Sequence, residues 1–281
     1  KTGTMVEEGG FGGGSTELEF VGRNPGTALQ LKYYLQKRHT FGKMSLEIQD
    51  MEGNKIRTLT PGKSKGINIV RWDYNTIAPK NAAGKTLSFG AFQPMRAKAG
   101  MYKAVLKKGK NTYETTFEIQ NDPKSFITAK ERKAQHATSK TLFDIQEDLA
   151  YMVYKMDEMI TSGEKAIEAN AKAKKVAQPL IDELNGLKNT LVITSGDNYV
   201  DSAPPQLREK LGTLYSDVAA NYEAPSQAQL ENLTLLSDRF AKAKTDFEKI
   251  TNKRLSKFTK YVEKASLPAM QLKSKEDFLK E

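Results

Sequence analysis

The chain has 281 residues, enough for two domains, and a formal net charge of +10 at pH 7. It contains no cysteine, which excludes disulfides and thiolate metal sites. No stretch approaches the roughly 20 consecutive apolar residues that a membrane-spanning helix requires, so we predict no transmembrane segment.

The positive charge is concentrated in the first part of the chain. Residues 1–125 carry 20 Lys/Arg and 11 Asp/Glu, whereas residues 126–281 carry 24 and 23. A basic module can bind acidic polysaccharide, anionic lipid or nucleic acid, although dispersed lysines that only solvate the surface are the simpler interpretation. No basic run alternates with stacking aromatic residues, so we predict no nucleic-acid partner.

The first 16 residues are dominated by glycine. Residues 9–14 contain five glycines and one phenylalanine. This composition disfavours helices and packed strands, because glycine loses much conformational freedom on ordering. We therefore predict a flexible lead-in over residues 1–16. The chain begins at Lys1 without a charged and then apolar leader, so we expect a fragment of a longer protein and leave the signal peptide undecided.

Between residues 17 and 120, apolar residues alternate or form short runs, as in strands that bury one face. Seven strands are predicted, at residues 17–21, 28–35, 43–49, 55–60, 66–72, 100–107 and 111–119. Strands this close together, with turns between them, indicate an all-β immunoglobulin/fibronectin-III-like sandwich, to which we assign residues 17–123. Trp72, the only tryptophan, is expected to pack between the sheets.

A long connection over residues 74–99 interrupts this rhythm of short strands and turns. Connections of this length are often functional or fixed against another surface. We expect it to pack against the helical module or a neighbouring domain. A carbohydrate-stacking platform is the alternative. Phe89, Phe92 and Met95 are the candidate residues for such a glycan or domain contact.

The period of the apolar residues changes near residues 121–123, after which they recur every three or four positions. This spacing is typical of amphipathic helices. Four such segments with short connections predict an all-α antiparallel four-helix bundle over residues 124–266. A polar C-terminal tail is predicted at residues 267–281.

Local signals mark the helix boundaries. Thr128 and Ser226 are each followed three residues later by Glu or Gln, the spacing of a capping box at a helix start. We expect the first helix to break near Gly163, because glycine is a poor helix former. Pro179 is expected to kink or split the second helix.

Three methionines, Met152, Met156 and Met159, follow one face of the first predicted helix. Methionine is flexible and polarisable, so such a stripe can form an adaptable groove for a partner helix. The same spacing equally suits the bundle core, which is the simpler interpretation.

No catalytic or metal-binding constellation is found in the sequence. His39 and His136 lie in different predicted modules, which disfavours a hydrolase triad or a His-pair zinc site. Asp197 and Asp201 place oxygen ligands in one loop, but the ligand order of a calcium loop is not met, and ion binding there stays open. We predict no cofactor and no catalytic residue, so this fragment is not expected to be an enzyme.

The order of these pieces resembles the C-terminal region of secreted bacterial proteins with BNR/Asp-box, sortilin-like β-propellers, often labelled glycosyl hydrolases. The matching runs are residues 24–26, 32–35, 46–50 with Gly53, 56–59, 66–73, 99–102, 121–123, 211–215 and 224–226. The run at residues 66–73 is also similar to the immunoglobulin-like domain of flagellar hook-capping proteins. The resemblance covers roughly residues 15–265.

The resemblance implies a non-catalytic structural or interaction module of an exported multidomain protein, in the periplasm, at the cell surface or outside the cell. Its expected partners are an upstream β-propeller of the same polypeptide and a cell-surface glycan or protein. The repeated Asp-box is absent from this chain, so no catalytic residue of the propeller can be carried over. The alternative is a carbohydrate-binding accessory module that uses the basic sandwich and its long aromatic loop.

Overall fold

A computed structural model of the chain describes residues 2–5, 27–196 and 203–280. The chain divides into two compact units. The strand-rich unit comprises Lys1–Ile77 and Pro94–Ile127, and the helical unit comprises Ala78–Gln93 and Thr128–Glu281. A segment that lies between two strands in the sequence therefore belongs to the helical unit.

Seven strands form two sheets in the strand-rich unit. They are β1 Thr2–Met5, β2 Leu29–Leu35, β3 Met44–Gln49, β4 Lys55–Leu59, β5 Gly66–Trp72, β6 Gly100–Lys108 and β7 Asn111–Asn121. The five-stranded sheet has the order β1-β7-β6-β3-β4, and β2 pairs with β5 in a two-stranded sheet. Only the β1–β7 pair is parallel among the described strands. The six strands predicted from residue 28 onward are confirmed, whereas residues 17–21 lie outside the described residues.

One hydrophobic core receives side chains from both sheets. Trp72 at its centre is fully buried, as predicted, and its indole N–H donates to the carbonyl of Asn75 at 2.8 Å. The rings of Tyr102 and Phe117 lie edge-on to the indole, with centroids 6.0 and 6.1 Å away. Edge-to-face aromatic packing of this kind adds about 0.5–1.5 kcal/mol per pair beyond the burial of area.

Six α-helices form the helical unit in the described residues. They are α1 Ala129–Ala169, α2 Lys174–Lys188, α3 Leu207–Ala219, α4 Gln227–Ile250, α5 Ser256–Lys264 and α6 Lys275–Lys280. A π-helical turn, Thr251–Leu255, joins α4 to α5 without a break. Both predicted capping boxes are confirmed, since Thr128 caps α1 and Ser226 caps α4.

The predicted helix break at Gly163 is wrong. Gly163 lies buried inside α1, where an added Cβ would come within 3.0 Å of the Ile181 side chain on α2. The glycine allows close packing of the two helices, and this contact offsets its poor helix propensity of about 1 kcal/mol. Pro179 lies in the second turn of α2, which follows a short 3₁₀ turn at Ala171–Ala173.

The segment Ala78–Gln93 packs within the helical unit. Its 3₁₀ turn, Phe89–Phe92, lies against α3, and at Gly90 the two backbones approach so closely that an added Cβ would overlap the carbonyl oxygen of Gly212. The expectation that the long connection packs against helices is confirmed.

Arg208 holds this segment from the α3 side. Its side chain is 3% exposed and donates to the carbonyls of Ala82 at 3.0 Å and Thr86 at 2.8 Å, and to the Thr86 hydroxyl at 3.1 Å. Its Nε donates to the Glu209 carboxylate at 2.6 Å. The buried charge is thus both paired and hydrogen-bonded, as a buried guanidinium must be to avoid a large desolvation cost.

The C-terminal residues pack against α1 within the helical unit. Phe278 of α6 is buried against the rings of Tyr151 and Tyr154 on α1, with centroids 5.7 and 4.8 Å away. The ammonium of Lys80 lies 4.0 Å from the centre of the Phe278 ring. Lys275 pairs with Asp148 on α1 at 2.5 Å.

The predicted fold class, an all-β immunoglobulin/fibronectin-III-like sandwich followed by an all-α four-helix bundle, is wrong. The chain has mixed α and β content, with two small sheets and six α-helices in its described residues. In the described residues the strands all precede the α-helices, but the two compact units are not continuous in the sequence, because Ala78–Gln93 packs with the helices. The turn at this segment is set by contacts with α3, about 120 residues away, which local periodicity does not record.

Candidate interaction groove between strands β2 and β7

An apolar groove opens between strands β2 and β7 of the strand-rich unit. Its deep part has a volume of about 160 Å³, and a continuation of about 560 Å³ shares Tyr33, Leu106 and Tyr113 with it. The lining of the deep part is Leu29, Gln30, Leu31, Lys32, Tyr33, Leu46, Ala104, Leu106, Tyr113, Glu114, Thr115, Thr116 and Phe117. We refer to the two cavities together as the β2–β7 groove.

The two walls of the groove are strand edges. β2 pairs with β5 along one edge, and within the described residues its other edge has no strand partner. β7 pairs with β6 along its length, but β1 covers its outer edge only from Glu118 to Asn121. Unpaired edges present free backbone N–H and C=O groups to whatever approaches them.

Burial along β7 shows where the core is uncovered. Alternate side chains of a strand lie on the same face, so Tyr113, Thr115, Phe117 and Ile119 all face the core side. Phe117 and Ile119 are buried, whereas Thr115 is exposed and Tyr113 is 54% exposed. The core is therefore closed at one end of β7 and open at the other.

The floor and the β2 wall of the groove are apolar. Leu46, Ala104 and Leu106 are buried in the floor, and the inward-facing residues of β2 from Leu29 to Tyr33 are only half-buried. The Tyr33 hydroxyl donates to the carbonyl of Gly62, which fixes its ring in the wall, and partial burial raises the pKa of Tyr33 above its ordinary value. A ligand that covered this surface would gain about 25 cal/mol for each Å² of apolar area it removed from water.

The surroundings of the groove are basic. Residues 27–77 and 94–127 contain 16 Lys/Arg and 7 Asp/Glu, a net charge of +9. Lys32 lines the deep part, Lys37 and Lys108 line the continuation, and Glu114 is the single carboxylate in the lining. The potential at the groove therefore favours an acidic ligand.

The predicted contact residues of the long connection do not share one surface. Met95 is 6% exposed and belongs to the strand-rich unit, whereas Phe92 is 55% exposed and belongs to the helical unit. The side chain of Phe89 lies outside what the structure describes. Phe92 therefore offers an aromatic ring to solvent, whereas the Met95 side chain is buried.

The methionine stripe is part of the core. Met152, Met156 and Met159 are all buried. Their burial contradicts the interpretation of these residues as an adaptable site for a partner helix.

Predicted polar sites are not assembled in the described residues. His39 lies in the strand-rich unit and His136 in the helical unit, while Asp197 and Asp201 lie outside the described residues. Over residues 27–196 and 203–280, no three His, Asp or Glu residues are grouped closely enough to hold a metal ion. No helix in the same part of the chain is long and apolar enough to cross a bilayer.

In comparisons with known proteins, no protein-family model matches the chain and no curated protein matches it.

Sequence reasoning predicted both walls of the groove as strands but missed the groove itself. The signal that was present is in β7, where the inward-facing positions 113 and 115 hold tyrosine and threonine, while positions 117 and 119 hold phenylalanine and isoleucine. A change from polar to apolar residues along one face of a strand indicates where the core is left uncovered.

Proposed function

We propose that this chain is a non-catalytic structural and interaction module of an exported multidomain protein with a BNR/Asp-box, sortilin-like propeller. The β2–β7 groove is the observation that supports the interaction role. It combines an apolar floor and a basic surround with two strand edges that, in the described part of the chain, are unpaired along the groove.

The exported, propeller-bearing context is supported by the resemblance alone. The run at residues 66–73 and its order relative to residues 99–102, 211–215 and 224–226 resemble the C-terminal region of that class. In this context the upstream propeller is the covalent neighbour, and a protein or glycan at the cell surface is the external partner.

Two measurements test the proposal. The purified chain, assayed on a panel of glycosides, is expected to give rates no higher than buffer, and a turnover number of about 1 s⁻¹ or more on any of them would contradict a non-catalytic role. The coding sequence upstream of Lys1 is expected to encode a leader and Asp-box repeats. Another type of domain in that position would contradict the exported propeller context.

Carbohydrate binding is the second candidate, and the exposure of Phe92 favours it. Its ring is held on the 3₁₀ turn that packs against α3, so an exposed aromatic face is presented without large loss of freedom on binding. On a glycan array, retained sugars should be lost with Phe92→Ala and kept with Leu235→Ala, an exposed apolar residue on α4. An array without any retained glycan would remove this candidate.

A further inference from the structure

We propose that the β2–β7 groove binds an extended segment of a partner polypeptide, which adds as a strand to the edge of β2 that has no strand partner among the described residues. The segment carries apolar side chains at alternate positions and acidic side chains between them. This proposal rests on the interaction function proposed above and specifies its partner.

The shape of the groove favours a strand over a compact ligand. Its walls are two uninterrupted runs, residues 29–33 of β2 and residues 113–117 of β7. The seven residues of β2 span about 23 Å at roughly 3.3 Å per residue, and their outer edge has no strand partner in the described part of the chain. Strand addition gives affinity through main-chain hydrogen bonds and specificity through alternate side-chain pockets.

The exposed inward positions fix the pattern of apolar residues in the partner. A strand next to β2 would place every second side chain over Ala104 and Leu106, beside Tyr113 and Thr115. These are the positions at which the core is open. Apolar side chains there would complete the core and remove its exposed apolar surface from water.

The positive charges around the groove determine which side chains we expect at the solvent-facing positions of the partner. Lys32 projects from the exposed face of β2, and Lys37 and Lys108 stand at the wider end of the groove. The net charge of +9 over residues 27–77 and 94–127 extends the attraction beyond these three side chains. Aspartate or glutamate at the solvent-facing positions of the partner would pair with this surface, and the pairing would weaken as salt screens it.

The test uses the full chain and a seven-residue peptide that alternates valine with aspartate or glutamate. We expect binding by fluorescence anisotropy, at least tenfold weaker for a peptide with lysine at the acidic positions and for a scrambled peptide with adjacent valines. Hydrogen exchange should show new protection of the amides of residues 29–35.

Two substitutions of groove-lining residues test whether the peptide binds in the groove. Tyr113→Glu places a negative charge at the exposed mouth of the groove and should weaken binding at least tenfold, and Lys37→Glu should weaken it independently. Met51→Glu introduces the same charge in the turn between β3 and β4, at a residue that is 44% exposed and is not in the groove lining, and should leave binding unchanged. Unaltered circular dichroism of each variant checks folding.

Several outcomes would overturn the proposal. These are the absence of binding at millimolar peptide, equal binding of the scrambled peptide, protection that does not include residues 29–35, and binding that emerges only after Leu18→Asp and Phe20→Asp are introduced together. The last outcome would mean that the groove binds a segment of this chain itself and not a partner polypeptide. None of these outcomes changes the glycoside result, so failure of the strand partner remains distinguishable from failure of the non-catalytic role.

Discussion

Arg208 shows how one side chain can hold together elements that are distant in the sequence. Its guanidinium binds two backbone carbonyls and a hydroxyl of the segment Ala78–Gln93, and it also pairs with Glu209. Removing one partner of a buried ion pair leaves the other charge uncompensated, which typically costs about 3–5 kcal/mol.

We predict that Arg208→Met destabilises the helical unit by about 3–5 kcal/mol, because Glu209 and the carbonyls of Ala82 and Thr86 lose their donor. Urea unfolding followed by circular dichroism at 222 nm measures this change, since the signal is dominated by helices. Lys210→Met removes the same charge from the exposed face of the same helix and should change stability by less than about 0.5 kcal/mol. Equal effects of the two substitutions would contradict the role assigned to Arg208.

Glu147 on α1 gives the helical unit a dependence on pH. Desolvation raises the pKa of its half-buried carboxyl above the ordinary value of 4.5, and a hydrogen bond from the backbone N–H of Lys80 offsets part of this rise. The folded state therefore holds the proton more tightly than the unfolded chain does. Ionised Glu147 lowers stability at neutral pH, and this penalty disappears as the pH falls below 4.5.

We predict that Glu147→Gln raises the urea midpoint of the helical unit at pH 7, because glutamine keeps an acceptor for Lys80 without the buried charge. The difference from the unsubstituted chain should shrink as the pH is lowered from 7 to 4. Glu164→Gln, at an exposed position of the same helix, serves as the control. A difference that stays constant over this range would contradict the assignment.

Helix α6 illustrates how a short element depends on a single anchor. An isolated helix of six residues is not stable in water, so its order must come from contacts with the rest of the unit. The ring of Phe278 provides the buried contact, and the Lys275–Asp148 pair lies at the partly exposed margin, where ion pairs contribute little.

We predict that Phe278→Ala releases α6 from α1. A loss of about 2 kcal/mol in this contact would raise amide hydrogen exchange over residues 272–280 roughly thirtyfold, while the exchange of α1 core amides stays unchanged. Leu272→Ala removes an apolar side chain from the same stretch at an exposed position and should have no such effect. If amide hydrogen exchange in α1 rose by the same factor, residues 272–280 would stabilise the whole helical unit, which would contradict the prediction.

The elements themselves were largely predictable from local signals. Alternating apolar residues located β2 to β7, and the capping boxes at Thr128 and Ser226 located the starts of α1 and α4. The misread positions are those at which a distant contact overrides local preference. Gly163 stays helical because α2 packs on it, and α6 forms because Phe278 meets two tyrosines of α1. The groove was missed for a related reason, since local periodicity does not record the order of the strands, which leaves the edges of β2 and β7 along the groove unpaired among the described residues.

For the whole molecule, the main consequence is that the helical unit is not continuous in the sequence. The segment Ala78–Gln93 supplies the acceptors for Arg208 and the backbone that fits against Gly212. A fragment of residues 128–281 would therefore expose the face of α3 that this segment covers and leave a buried cation without its acceptors.

We predict that a fragment of residues 128–281 binds a hydrophobic dye and melts earlier than the full chain, and that a synthetic peptide of residues 78–93 reverses both effects. Peptide at about 100 times its Kd should stabilise the fragment by about 2.7 kcal/mol. The same peptide with Gly90→Val should fail, because its side chain would overlap the Gly212 carbonyl. Rescue by both peptides would contradict the close fit described for this turn.

The buried bonds of Arg208 also set an order of events during synthesis. Thr86 leaves the ribosome 122 residues ahead of its guanidinium partner, an interval of roughly 6–25 s at about 5–20 residues per second. During that time β6 and β7 can already join the nascent sheet, while the loop between β5 and β6 stays in water without the helix that will receive it. The segment Ala78–Gln93 should therefore dock onto the helical unit only after translation has passed α3.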